Sequence, residues 1–98
     1  MTADWLIEND LTLEHADAAR KQFKALLAVE SNPIVIDCAQ VAKVDSIGLS
    51  ILVSFVRTLG KDKPDAQVHL INVQSMLDKM LAMTRLQSAF PQLVIATG

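Results

Sequence analysis

Apolar and polar positions along this chain follow two periods, and the switches between them mark the elements. "DWLIE" (4–8) and "LTL" (11–13) are short apolar-rich runs, both predicted as strands. Between them stands Asn9-Asp10, a pair suited to a turn. From Glu14 the period becomes helical. Ala16, Ala19, Phe23, Leu26 and Leu27 recur every third or fourth residue, and Asp17, Arg20, Lys21 and Lys24 take the other side. "ESNP" ends that helix, and the β-branched run Ile34, Val35, Ile36 predicts a strand buried on both faces. "AQVAKV" leads into a second helix from Ser46 to about Leu59, stopped by Gly60 and the polar "KDKPD" loop. "AQVHLIN" is the next strand. A third helix covers 74–83 with Leu77, Met80 and Leu81 inward, "TRLQSAFP" connects, and "QLVIA" is the last strand.

The order β-β-α-β-α-β-α-β predicts an α/β sandwich with a mixed, mostly parallel β-sheet. Right-handed crossovers between parallel strands would gather the helices into a layer. Ninety-eight residues make one domain, spanning 1–98, and 51% hydrophobic content supplies a continuous core. Only 20% of residues are charged and the net charge is -2, with the cations scattered, so nucleic acid is not an expected partner. An apolar excess on a weakly charged domain points instead to an oily surface that meets another protein.

Enzyme chemistry finds little support. Cys38 is the sole cysteine, and with His15 and His69 it is too sparse for a metal cluster; neither metal nor cofactor is expected. Three glycines, Gly48, Gly60 and Gly98, build no phosphate cradle. "GLSIL" begins like a nucleophile elbow, but Leu52 replaces the second glycine and the serine falls inside a helix. His15 reads as a solvated helix residue and His69 as a strand residue, so no catalytic residue is assigned. Cys38, following a buried strand, reads as a small core residue. "MTADWLIEND" lacks a basic segment followed by an apolar run, and 47–56 is far below bilayer length, so a cytoplasmic protein without membrane insertion is expected. The methionines of "SMLDKMLAM" read as helix core and edge, with a Met-rich docking face as the alternative.

The second helix carries the sharper signal. At about 100° per residue, Leu49, Leu52, Val53, Val56 and Leu59 form the core stripe. Ser46, Ser50, Ser54 and Arg57 line one flank, while Ile47, Ile51 and Phe55 form a separate ridge. That ridge is either covered by neighbouring helices or is a docking surface of the helix-in-groove kind. Asp45 and Ser46 are both good N-caps, and either side chain can satisfy a free amide of the first turn. A phosphate on Ser46 would sit at the positive end of the helix, tolerated by the fold. To a partner on the ridge it would add about two negative charges beside Asp45. Gly48, without a side chain, would admit another backbone.

"IVIDCAQVAKVDSIGLSIL" (34–52) resembles the central block of STAS domains, typified by bacterial anti-sigma factor antagonists. That block is a buried strand ending in Asp, a short loop, then Asp-Ser-x-Gly-Leu opening a helix. The likeness continues through "LTLEHADAARKQFKALL" and "VHLINVQSMLDKMLAMTRLQSAFP". It implies a non-enzymatic regulatory domain that binds a serine kinase acting as anti-sigma factor. Phosphorylation of Ser46 would end the binding, and a phosphatase would restore it. Asp45, Ser46, Ile47, Gly48, Leu49, Ser50, Ile51 and Phe55 would be the partner-binding set, and Asp37 a supporting acid near Ser46. The chain departs from the family at Ser50, where Gly is frequent, and at Asn9-Asp10, where a glycine commonly precedes the second strand. The alternative within the same family is the STAS subunit of an Mla-type phospholipid transporter. It would hold the transporter ATPase through the same helix, with Ser46 as an interface contact.

Overall fold

Residues 3–98 are described by a computed structural model built on four parallel strands. These are β1 (Trp5–Leu6), β2 (Ile34–Asp37), β3 (Val68–Val73) and β4 (Leu93–Thr97), lying side by side in chain order. The helices are α1 (Ala16–Leu26), α2 (Ser46–Asp62), α3 (Ser75–Thr84) and the short α4 (Leu86–Ala89). When parallel strands follow each other in sequence, right-handed crossovers place every helix on one side. Burial agrees with this. Trp5, Ile36, Leu70 and Ile95 stand in register and pack, with Ile34, Val68 and Leu93, against the inward residues of all four helices. The alternate row, Val35, His69 and Val94, stays outside that core, and Val94 and Leu6 are exposed.

The expected α/β sandwich is therefore present as one parallel sheet under one helical layer. "LTL" does not form its strand. Leu11 alone makes a single parallel bridge, to Val44, and Leu13–His15 turns as a short 3-10 helix into α1. The cause is a distant residue: the Leu13 N–H is taken by the Asp45 side chain at 2.9 Å and not by a neighbouring strand.

Gly60 does not stop α2 either; the helix runs on to Asp62. Its missing side chain makes room for Phe90, whose ring would lie 2.9 Å from an added Cβ. The connector "TRLQSAFP" contains α4, entered through Arg85 in the left-handed region at φ 55°. Cys38 is a core residue, and burial, followed by the charge of Asp37, pushes its thiol up to about 12.

α1 lies along α2 and seals its flank. Phe23 meets Phe55 at 5.0 Å between ring centres and takes Trp5 edge-on at 4.9 Å.

Candidate functional site

All crossovers leave the sheet at the carboxyl ends of the strands, so the amino-terminal ends of α2 and α3 open at the same edge. The 38–45 loop that feeds α2 is pinned there by side chains. The Asp37 carboxylate accepts the Ala39 N–H at 2.9 Å and the Asn72 amide at 3.1 Å. Asn72 itself is left-handed, at the irregularity in the β3–β4 pairing. One oxygen of Asp10 accepts the N–H groups of both Ala42 and Lys43 at 2.9 Å, and the Lys43 bond most of all holds its carboxyl below the usual value. The Asn9-Asp10 departure thus supplies a loop clamp that a glycine could not.

Asp45 joins loop to helix. One carboxylate oxygen accepts the Gly48 N–H at 2.8 Å, an N-cap bond, and the other accepts the Leu13 N–H at 2.9 Å. These bonds, the Gly48 amide first, lower its carboxyl from the ordinary value. Gly48 is buried beneath Leu11, and a Cβ on it would fall 1.9 Å from the Leu11 carbonyl oxygen. Leu11 in turn accepts the Asp45 N–H at 3.0 Å. The cap, the glycine and the Leu11–Leu13 segment form one interlocked corner.

Ser46 is the first residue of α2 and is exposed. Its carbonyl accepts the Ser50 hydroxyl at 2.8 Å, while its own hydroxyl has no hydrogen-bond partner among the described residues. Three exposed apolar side chains belong to residues tied to this segment: Leu13, whose N–H bonds Asp45; Ile47, next in the helix; and Met76, whose sulfur accepts the Val44 N–H at 3.4 Å. From Met76 a groove of about 460 Å³ runs along α3, lined by Val44, Ser75, Lys79, Met80 and Met83.

The family model described as the MlaB STAS domain matches residues 7–95, most of the chain. This chain belongs to the STAS family. The fold of this STAS domain is similar to the crystal structure of a candidate anti-sigma factor antagonist from Thermotoga maritima. The TM-score is 0.74 and the identity 19%, covering 100% of this chain and 83% of that one. No curated protein sequence matches the chain.

The STAS domain brings together some of the residues expected from sequence and separates others. Asp45, not Ser46, is the cap, and Gly48 admits the domain's own Leu11 rather than a partner's backbone. Ile51 and Phe55 are 8% and 4% exposed, covered by α1 and Phe23, so they belong to the core and not to a docking ridge. The buried stripe of α2 is Gly48, Ile51, Leu52, Phe55, Val56 and Leu59, with Leu49 and Val53 half-buried at its margin. Of the expected surface, Ser46, Ile47 and Ser50 remain exposed.

Asp37 lies at the same edge, but its hydrogen bonds among the described residues go to Ala39 and Asn72, not to Ser46. His15 sits 3.8 Å from Glu14 and His69 3.2 Å from Gln67; neither pairs with a serine among the described residues. Leu13, Met76 and Met83 are exposed apolar surface that helical periodicity does not single out, while Met80 packs half-buried on the core as expected. The methionine content of "SMLDKMLAM" was the available signal.

Proposed function

We propose that this STAS domain is a regulatory binding module of the anti-sigma factor antagonist type, acting without catalysis of its own. A serine kinase that doubles as anti-sigma factor docks on the face formed by Leu13, Ser46, Ile47 and Met76. The kinase phosphorylates Ser46 and is released, and a phosphatase resets the site; this exchange takes place in the cytoplasm.

The observation that carries this reading is the exposed Ser46 hydroxyl, which has no hydrogen-bond partner among the described residues. Because Asp45 performs the capping, Ser46 can be modified without removing a bond that holds the helix. The amino end of α2 favours the added anion electrostatically. A partner seated on the surrounding apolar side chains would lose its contact to a doubly charged group at their centre.

The test is capture from host lysate with wild type, Ser46→Ala and Ser46→Asp, partners being identified by mass spectrometry. Wild type and Ser46→Ala should retain a kinase-like protein that Ser46→Asp loses. Equal capture by Ser46→Asp would sink the switch.

A second reading has one observation in its favour, the family model's description as the MlaB STAS domain. In it the same face holds the ATPase of an Mla-type phospholipid transporter, and Ser46 is a constitutive contact. A transporter ATPase on the wild-type domain, without phosphate on Ser46, would establish this in place of the switch.

A further inference from the structure

The Val44 amide is held in an unusual way. Its neighbours in the backbone, the Lys43 carbonyl and the Asp45 N–H, both bond Leu11, so the Val44 N–H faces the other way, toward α3. There it donates to the thioether sulfur of Met76 at 3.4 Å. A thioether is a weak acceptor, and the Met76 side chain that carries it is 45% exposed. This sulfur therefore couples α3 to Val44, the residue before the Asp45 cap.

We propose that Met76 is a modification site through which a two-electron oxidant, hydrogen peroxide, resets the Val44–Ser46 segment. The sulfur lone pair attacks one peroxide oxygen, an S–O bond forms as the O–O bond breaks, and the second oxygen leaves as hydroxide, which takes the proton from the sulfur-bound oxygen to become water. Sulfur is oxidised and peroxide reduced. The sulfoxide is polar and a far stronger acceptor than the thioether. If its oxygen points at the Val44 N–H, the amide and α3 must separate to admit it. If it points away, the amide loses its partner. Either outcome alters the segment that ends in the Asp45 cap, and places a dipole in the groove lined by Met80 and Met83. The effect on partner docking rests on the proposed role of the Ser46 face; the coupling itself does not.

The experiment is amide NMR of the isotope-labelled full chain before and after hydrogen peroxide, with oxidised residues mapped by mass spectrometry. Wild type, Met76→Leu and Met83→Leu are compared. The Met83 control matters because that side chain is 75% exposed and accepts no hydrogen bond among the described residues. Oxidised wild type and Met83→Leu should shift the Val44, Asp45 and Ser46 resonances, and methionine sulfoxide reductase should return them. In Met76→Leu peroxide should leave these resonances in place. The proposal is overturned if they move equally in Met76→Leu, or stay still in wild type carrying oxidised Met76. It is equally overturned if Met76 stays reduced while Met83 is fully oxidised. No partner is present in the tube, so failure of the partner reading leaves this result untouched.

Discussion

Gly48 of α2 and Leu11 of the β1–α1 connection are in backbone contact, close enough that a Cβ on the glycine would overlap the Leu11 carbonyl carbon at 2.2 Å and its oxygen at 1.9 Å. The glycine of the Asp-Ser-x-Gly-Leu block thus serves the corner that presents Ser46. Its φ is not in the left-handed region, so the requirement is space and not backbone freedom.

Gly48→Ala should therefore destabilise the domain, although alanine is the better helix former by about 1 kcal/mol. Overpacking against backbone costs about 1–3 kcal/mol or more, and the carbonyl cannot rotate away without breaking the Asp45–Leu11 bond. Urea unfolding measures the difference. A variant as stable as wild type would mean that the Leu11 segment yields freely.

Phe55 and Ile47 separate folding from docking. Phe55→Ala removes a buried ring packed on Phe23 and should cost about 3–5 kcal/mol, visible in thermal unfolding. Ile47→Asp changes a side chain that is 37% exposed and should alter stability by no more than about 0.5 kcal/mol. It should nevertheless abolish partner capture. Undiminished capture by a folded Ile47→Asp domain would remove this residue from the proposed interface.

Acid should loosen the corner. Asp45 and Asp10 both have carboxyls lowered from 3.8, by backbone N–H groups that favour the ionised form. A carboxyl depressed on folding contributes stability above its unfolded value and loses it as pH falls through the folded one. The urea midpoint should hold above pH 3.8 and fall below it, and Asp45→Asn should show a smaller fall. An identical acid profile in the variant would assign the loss to other groups.

Cys38 should resist alkylation. Its thiol is buried and raised to about 12, so almost no thiolate exists near neutral pH. Iodoacetamide followed by mass spectrometry should leave the native chain unmodified and label it promptly in urea. Rapid native labelling would show that β2 opens locally.

Much of the architecture was legible along the chain because its signals are local. Helical spacing located α1 and α3 closely, and the β-branched run Ile34–Ile36 marked β2. Local signals misled where a distant residue had taken over. "LTL" has strand composition, yet the Asp45 carboxylate claims the Leu13 amide and turns the chain. Gly60 reads as a helix stop, yet Phe90 occupies the space it leaves and α2 continues.

The sequence by itself determined that a helix opens at Ser46 behind an acid able to cap it, because a cap and its amides lie within one turn. It also determined the family, through the spacing of Asp45, Ser46, Gly48 and Leu49. It could not determine whether the Ile47, Ile51, Phe55 ridge beside the core stripe of α2 is also covered, since periodicity does not say what packs on a second apolar side. That was decided by α1, which the strand order sets beside α2 and which buries Ile51 and Phe55 under Phe23. The surface left around Ser46 is what those long-range contacts did not cover.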